Sequence, residues 1–281
     1  MIIVKDLYYS YTKKPFIEQV NFKVKSGEIF GFLGPSGAGK STLQKILTGL
    51  ITTYNGSVKV NGTEVKQHSN SFYEKIGVDF EFPSLYEKLT ARVNLRFFNS
   101  LYQKQGDIDA LLASVGLSAD ANKKVADYSK GMKSRLNFIK AILHDPDILF
   151  LDEPTSGLDP SNARLMKDMI LKEKAKGKTV ILTTHNMFDA TELCDRVAFI
   201  VDGKIKALDS PHNLIMSKGA SKITYTYARN GREEIKQIPL SKTGEDEVLL
   251  RLIRNNQLLS IHSSEPTLND IFVDLTGRHL Q

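Results

Sequence analysis

The sequence predicts an α/β fold built on a largely parallel sheet. Short β-branched runs alternate with amphipathic segments through the first two thirds of the chain, and strands that alternate with helices form sheets covered on both faces. Two apolar runs of strand length, Ile29–Leu33 and Ile148–Leu151, are followed at once by a glycine-rich loop and by two acids. Since ligands collect at the carboxyl ends of strands in such sheets, these two runs predict a binding site there.

The composition excludes several classes of protein. Hydrophobic residues make up 41% of the 281 residues and charged residues 25%, unlike a disordered tail, a collagen or a coiled coil. The 38 basic and 32 acidic residues leave a formal charge of +6. Such a charge suits nucleic acid, anionic lipid or a protein partner, but the basic residues are dispersed, which favours a solvated surface.

The compartment follows from what the sequence lacks. One cysteine, Cys194, excludes an intrachain disulfide framework, and we expect it in the core. No stretch approaches the roughly twenty apolar residues that span a bilayer, and the first residues lack the apolar run of a signal peptide. We therefore expect a cytoplasmic chain that docks on a membrane only through a partner.

Periodicity and turn residues predict the elements of a domain over residues 1–209. Strands are expected at Ile2–Val4, Phe22–Val24, Ile29–Leu33, Ile148–Leu151 and Val180–Thr183. Two-residue turns at Asn61-Gly62 and Asp202-Gly203 predict hairpins with Val58–Val60, Val197–Val201 and Lys204–Ala207. Helices are expected at Lys40–Leu50, Leu85–Gln105, Asp107–Val115, Gly131–Leu143, Pro160–Ala175 and Met187–Cys194.

The remainder, residues 210–281, predicts a small α+β accessory domain. Alternating runs at Lys222–Tyr227 and Glu234–Ile238 indicate strands, and Val248–Arg254 indicates an amphipathic helix. A last helix is expected to pack through Leu268, Ile271, Phe272 and Leu275, which share one helical stripe.

A phosphate-binding loop is the strongest single motif. Residues Gly34–Ser41 fit G-x-x-x-x-G-K-[ST], between a buried strand and a helix. Glycines let backbone N–H groups point at a polyphosphate, and the positive end of the helix dipole faces the same anion. Lys40 would reach the β- and γ-phosphates, and the Ser41 hydroxyl would ligate Mg²⁺. A plain flexible loop is the alternative, and the strand and helix context disfavours it.

The acidic strand end supplies the second half of the chemistry. Asp152 directly follows Ile148–Leu151, the position from which an aspartate holds Mg²⁺ in phosphate-loop enzymes. Glu153 is placed to act as a general base toward an attacking water. Asp-Glu-Pro could equally be a solvated turn if it stood alone; the phosphate loop favours the metal and base roles.

Further motifs fall in a fixed order. The full set is Gly34–Ser41, Tyr128–Met132, Ile148–Glu153, Ser156–Asp159 and Thr183–His185. In this order and at these spacings it resembles the ATP-binding subunits of ABC transporters, over about Ile2 to Asp209. The resemblance implies a P-loop NTPase with a RecA-like core, an antiparallel β subdomain and a helical signature subdomain over about 82–145.

The resemblance also implies a role for each motif. ATP would be bound by Tyr11, Gly34, Pro35, Ser36, Gly37, Ala38, Gly39, Lys40, Ser41 and Thr42, with Tyr11 stacking on adenine; Tyr8 and Tyr9 leave that choice open. The catalytic residues would be Lys40, Glu153 and His185, the last as a switch histidine at the γ-phosphate. Mg²⁺ would be held by Ser41, Asp152 and Glu81. Ser129, Lys130, Gly131 and Met132 would grip the nucleotide of a second subunit, and Asp159 would link the two sites.

The sequence departs from the family pattern at three positions. Lys130 stands where glycine is usual, Glu81 where glutamine is usual, and Val93 where glutamate is usual on the surface that meets the membrane partner. Glu81 still offers oxygen to Mg²⁺ or water but adds negative charge. The Val93 difference leaves the details of coupling open.

The resemblance predicts the function. The tail, Ser263–Phe272 with Leu275–Arg278, is similar to the ending of drug- and antibiotic-export ATPases with separate permeases. We expect an ATP hydrolase that dimerises, works with Mg²⁺ and an integral-membrane permease, and lies on the cytoplasmic face of the membrane without binding nucleic acid. The alternative is a soluble ABC ATPase acting on nucleic acid or ribosomes; such proteins usually carry tandem cassettes or long insertions, whereas this chain has one cassette.

Overall fold

The computed structural model describes residues 1–81, 84–219, 222–229 and 231–277. Arg278 of the predicted tail motif lies outside these ranges. The chain divides into two compact units, Met1–Leu208 and a second that begins at Asp209.

The first unit contains three kinds of element. Its strands are β1 (Ile2–Tyr9), β2 (Ile17–Val24), β3 (Ile29–Leu33), β4 (Asn55–Val60), β5 (Thr63–Glu64), β6 (Ile76–Asp79), β7 (Ile148–Asp152), β8 (Thr179–Thr184), β9 (Arg196–Val201) and β10 (Lys204–Asp209), whose last residue opens the second unit. Its helices are α1 (Lys40–Leu47), α2 (Asn70–Tyr73), α3 (Ala91–Asn99), α4 (Ile108–Ser114), α5 (Lys130–Ile142), α6 (Pro160–Ala175) and α7 (Met187–Leu193). Short 3₁₀ turns cover Val65–Gln67 and Val125–Asp127.

Two sheets meet in the core of the first unit. The larger runs in the order β10-β9-β3-β8-β7-β6, with parallel pairing from β9 through β6. The smaller, β2-β1-β4-β5, is antiparallel. Phe22 of the small sheet lies 5.6 Å from Phe30 and 5.3 Å from Phe32, ring centre to ring centre, so aromatic packing joins the two sheets.

The strands of the parallel sheet are buried along their whole length where the site is built. All residues of β3, β7 and β8 are buried, as expected when both faces of a parallel sheet are covered. Strand β3 has the predicted bounds, as does helix α6, and both predicted hairpins are present as β4-β5 and β9-β10. Cys194 is buried, as predicted.

Several predicted bounds are wrong for local reasons. Helix α1 ends at Leu47 because Gly49 adopts a φ of 78°, and Leu50 is 58% exposed instead of lying on the apolar stripe. The long helix expected over 85–105 shrinks to α3, because the Asn94 amide bonds the backbone of Tyr86 and the Asn99 amide bonds that of Gly106. These side chains stabilise loops at both ends.

The second unit has its own small core. Its elements are α8 (Pro211–Lys218), β11 (Lys222–Arg229), β12 (Arg232–Pro239), a 3₁₀ turn at Leu240–Lys242, α9 (Glu247–Arg254), β13 (Leu258–Ser264) and α10 (Leu268–Thr276). The antiparallel sheet β12-β11-β13 packs its central Tyr225 with Ile238, Leu249 and Leu252. Elements α8 and β13 were not predicted. On α10, Leu268, Ile271 and Phe272 are buried as expected, but Leu275 is largely exposed.

Candidate functional site

The phosphate loop Gly34–Ser41 follows the central strand β3. Gly34 lies so close to the neighbouring strand β9 that an added Cβ would stand 2.1 Å from the carbonyl oxygen of Ile200. Only glycine permits this approach. Helix α1 begins at Lys40, so the free N–H groups of its first turn open onto the loop at the carboxyl edge of the sheet.

Lys40 is buried at this edge among acids. Its Nζ donates to the carbonyl oxygens of Gly34 at 2.7 Å and Pro35 at 3.1 Å. Burial lowers the pKa of the Lys40 ammonium, while the charges of Glu153, Asp152 and Glu81 oppose that shift. The cation is therefore held by the loop itself and balanced by the carboxylates across the site.

Asp152 ends β7 and is buried behind the loop. The Thr183 hydroxyl donates to its Oδ1, and the Ser41 hydroxyl lies 3.5 Å from the same oxygen. The Thr183 hydroxyl was not predicted as part of the site, although Thr183 belongs to the motif that begins near the end of β8. These oxygens are the donors that Mg²⁺ prefers.

Glu153 takes a left-handed backbone conformation, with φ of 50°. Its N–H donates to the carbonyl oxygen of Thr183 at 3.0 Å. A non-glycine residue in this region costs on the order of 1–3 kcal/mol, and such strain clusters at functional sites. Here it turns the Glu153 side chain toward His185, whose Nδ1 lies 2.9 Å from the Glu153 Oε1.

These side chains share an open cleft of about 300 Å³. Its lining consists of Phe16, Ser36, Gly37, Gly39, Lys40, Ser41, Thr42, Glu81, Glu153 and His185. Six residues that the sequence assigned to ATP binding therefore line one cavity. Glu81, the predicted base Glu153 and the predicted switch histidine His185 line the same cavity. The loop residues Gly34, Pro35 and Ala38 shape the cleft without lining it.

The aromatic side of the site holds one residue that the sequence did not reveal. The Tyr11 hydroxyl lies 3.0 Å from the Thr42 hydroxyl, and its ring, 55% exposed, packs edge-on against Tyr9 and Phe16. Tyr11 lines an adjoining cleft of about 360 Å³, and Phe16 lines both clefts. Phe16 is the missed residue, and the signal was an aromatic side chain just before β2.

The signature segment, Ser129–Met132, lies at the start of α5. The Ser129 side chain caps the helix by accepting from the Met132 N–H at 3.2 Å, while Gly131 lies against the Asn162 side chain. Asp159 caps α6 and accepts from both the backbone and the side chain of Asn162. Among the described residues, those of the signature segment do not line the phosphate cleft of their own chain.

Glu81 connects two cavities. It lines the phosphate cleft and also a second cavity of about 330 Å³ whose polar lining includes Lys130, Asp152 and Glu153. Its side chain is exposed. Glu81 is thus within reach of the same acids that the sequence assigned to metal and base.

Comparison with known proteins places this site in context. A family model described as "ABC transporter" matches residues 17–156. A fluoroquinolones export ATP-binding protein of Mycobacterium tuberculosis is 48% identical across the whole chain and 94% of its own length. A Nod factor export ATP-binding protein I of Rhizobium sp. is 34% identical across 97% of this chain and 95% of its own.

Solved structures agree on the fold. An ATP-binding subunit of an ABC transporter superposes with a TM-score of 0.71 at 30% identity, covering 78% of this chain and 93% of its own. A dimeric ATP-binding cassette bound to ADP and Pi superposes with a TM-score of 0.67 at 24% identity, covering 75% and 98%. The predicted fold class and the predicted ATP hydrolase are confirmed. No helix within the described residues is long and apolar enough to cross a bilayer. The chain belongs to the ABC transporter family, in which it is an ATP-binding and ATP-hydrolysing subunit.

Proposed function

We propose that the chain energises export of a drug-like, antibiotic or other amphipathic molecule through a separate membrane permease, from the cytoplasmic face of the membrane. The observation that carries the proposal is the meeting of Lys40, Glu153 and His185 in one cleft, with Asp152 bonded to the loop behind it. The relatives in fluoroquinolone and Nod factor export support the direction of transport.

The phosphate cleft binds ATP by charge and by backbone donors. Lys40 exchanges its loop carbonyl partners for the β- and γ-phosphates, which are stronger acceptors. Thr42 lies toward the α-phosphate, and the rings of Tyr11 and Phe16 border the cleft that suits the adenine ring. The helix dipole of α1 adds positive potential at the phosphates.

The donor set fits Mg²⁺. Ser41 and Asp152 bring two oxygens together, with Glu81 as a third at the rim. Within the described residues there is no group of three or more acids, histidines or cysteines poised to hold an ion alone. That pattern matches a cation that takes one or two protein oxygens and completes its shell with substrate phosphate and water. Bound Mg²⁺ would neutralise charge on the phosphates.

Glu153 acts as the general base in hydrolysis. Its carboxylate faces the cleft and takes a proton from the attacking water as the water oxygen bonds to the γ-phosphorus and the bond from that phosphorus to the β,γ-bridging oxygen breaks, which releases ADP and phosphate. The imidazole of His185, at 2.9 Å, holds the carboxylate in position and lies at the mouth of the cleft where the γ-phosphate would end. A positioned base contributes ~10²–10⁴-fold to the rate.

Two subunits close over two ATP molecules in this proposal. The signature segment presents a capped helix start, with the Ser129 hydroxyl and free N–H groups, and that arrangement suits the γ-phosphate of a second copy. Asn162, which is bonded to Asp159 at the start of α6, lies against Gly131 of the segment. The partner is either the same chain or a related subunit.

The permease would dock on α3 and the loop before it. Tyr86, Leu89, Val93 and Phe97 are all large apolar side chains with more than a third of their surface exposed. Tyr86 and Phe97 pack edge-on at 5.3 Å, which makes a continuous apolar surface. Exposed patches of this kind mark protein interfaces.

The test is Glu153→Gln, compared with Glu245→Gln on the surface of the second unit. We expect Glu153→Gln to lower kcat for ATP by ~10²–10⁴-fold while ATP binding persists and ATP-dependent dimers accumulate on size-exclusion chromatography. Glu245→Gln should match the wild type. Full turnover by Glu153→Gln would overturn the base assignment, and co-purification with RNA instead of a membrane permease would overturn the transport assignment.

A further inference from the structure

Strand β6 lies directly on the C-terminal half of α5, the helix that begins at the signature segment. The carbonyl oxygen of Ile76 bonds the buried His144 Nε2 at 2.9 Å just beyond the helix. Next along the strand, Gly77 approaches the helix backbone so closely that a Cβ there would lie 2.0 Å from the carbonyl oxygen of Ala141. The strand and the helix are therefore packed backbone to backbone.

The last point of attachment is polar and buried. Asn137 Nδ2 donates to Asp79 Oδ1 and also lies 3.5 Å from the carbonyl oxygen of Phe80, the residue before Glu81. Asp79 and Asn137 are 6% and 2% exposed. A single amide thus holds both the end of β6 and the first peptide beyond it.

Burying the polar groups of Asp79 and Asn137 costs folding free energy. Burial raises the pKa of the Asp79 carboxyl well above its ordinary value, opposed chiefly by the Lys140 ammonium one turn along α5. Among the residues that the structure describes, none is a hydrogen-bond partner of the Asn137 Oδ1. Apolar side chains at both positions would pack the strand on the helix without these costs, so packing alone does not account for the polar pair.

The pair stands next to the hydrolysis chemistry. Asp79 is paired across the sheet with Leu151, the residue before Asp152. Asp79 and Asn137 line the same cavity as Glu81, Asp152 and Glu153. A change in the direction of the chain after β6 would therefore move Glu81 relative to both acids.

We propose that Asp79 is a positioning residue for ATP hydrolysis, which, anchored by Asn137 of α5, fixes the peptide at Phe80 and so places Glu81 beside Asp152 and Glu153. The proposal rests on the proposed function and adds to it a link between the signature helix and the Glu81 segment. Asp79 acts through Glu81 and does not itself touch the nucleotide.

The decisive variant replaces both polar groups, as Asp79→Leu with Asn137→Leu. Since removing a buried polar pair together is often neutral or stabilising, we expect an unchanged or higher melting temperature. We expect kcat for ATP to fall at least about 10-fold, because Glu81 is no longer held, with ATP affinity within about 2-fold of wild type. The single variant Asp79→Asn keeps the acceptor oxygen for Asn137 and should retain most of the wild-type kcat.

A loss of stability and of ATP affinity together, with kcat unchanged per folded molecule, would reduce the pair to a packing role and overturn the proposal. If the double variant folds poorly, Asn137→Ser is the second probe; it withdraws the amide and leaves the Gly77 contact intact, and kcat should fall without a change in ATP affinity. A normal kcat in Asn137→Ser contradicts the proposal.

Lys40→Ala separates this inference from the proposed function. If Lys40→Ala abolishes ATP hydrolysis and the double leucine variant keeps the wild-type rate, only the positioning role of Asp79 is overturned. A wild-type chain that does not hydrolyse ATP, with or without its permease, overturns the proposed function and this inference with it.

Discussion

The two units of the chain put their polar groups to opposite uses. In the first unit, the buried Lys40 lines the phosphate cleft and the buried Asp152 lines the second cavity, where their charges remain available to a ligand. In the second unit, Tyr225 donates to Asp246, and Lys236 pairs with the same carboxylate at 2.6 Å, which also caps α9. The polar groups of the second unit satisfy one another, which indicates a stabilising role, whereas those of the first are held ready for chemistry.

Tyr225→Ala should give the largest loss of unfolding free energy and leave ATP binding unchanged. The side chain is fully buried at the centre of the small core, and truncating such an aromatic residue costs about 3–5 kcal/mol. Urea unfolding should show the loss, while ATP affinity stays at the wild-type value because the phosphate cleft is lined by the first unit. Tyr225→Phe, which removes only the hydroxyl, is the control with a loss of about 1 kcal/mol. A drop in ATP affinity would break the contrast between the units.

Lys40→Ala should show the reverse pattern, with binding lost and the fold kept. A charge-assisted hydrogen bond to phosphate is worth about 1.5–3 kcal/mol, so ATP affinity should fall about 10- to 100-fold. Isothermal titration calorimetry measures this, and Lys45→Ala, an exposed lysine on the same helix, is the matched control. Unchanged ATP affinity in Lys40→Ala would contradict the role of the phosphate loop.

Asp145→Asn should have a smaller effect that depends on pH. The Lys104 and Lys178 ammonium groups lower the pKa of Asp145 to about 2. Because the folded pKa lies below the ordinary 3.8, the carboxylate stabilises the fold above pH 4, and this contribution disappears as the pH falls toward 2. The side chain is exposed, so the gain is ~1 kcal/mol or less.

Urea unfolding at pH 6, 4 and 3 tests this prediction. The difference in unfolding free energy between wild type and Asp145→Asn should shrink at each step toward acid. A background that carries both Lys104→Met and Lys178→Met should remove most of it. A difference that grows as the pH falls would have the wrong sign and would exclude the ion pair as its source.

Tyr11→Phe should have a small effect on ATP binding. It removes the bond to the Thr42 hydroxyl and keeps the ring beside Phe16. A net hydrogen bond is worth about 0.5–1.5 kcal/mol, so ATP affinity should change by less than about tenfold, and less than in Tyr11→Ala. Equal losses in the two variants would assign the role of Tyr11 to its hydroxyl instead of its ring.

Sequence patterns predicted the elements that a continuous apolar pattern defines, and they missed the elements and site residues that depend on contacts with distant parts of the chain. Strand β3 and helix α6 have the predicted bounds because uninterrupted apolar periodicity defines them. Strand β6 was missed, since Gly77 and Asp79 interrupt its apolar pattern and only the close approach of α5 explains them. Phe16 and the Thr183 hydroxyl join the site through contacts with segments distant in sequence, and their local patterns did not predict those contacts.

Thr183 carries a consequence of its own. The Thr183 hydroxyl donates to Asp152 and its carbonyl oxygen accepts from the N–H of Glu153, so one residue of β8 contacts both the last residue of β7 and the residue after it. A substitution at Thr183 would therefore reach the Asp152 side chain and the Glu153 backbone at the same time. The acid next to Ser41 and the acid next to His185 thus depend on a single residue of the neighbouring strand.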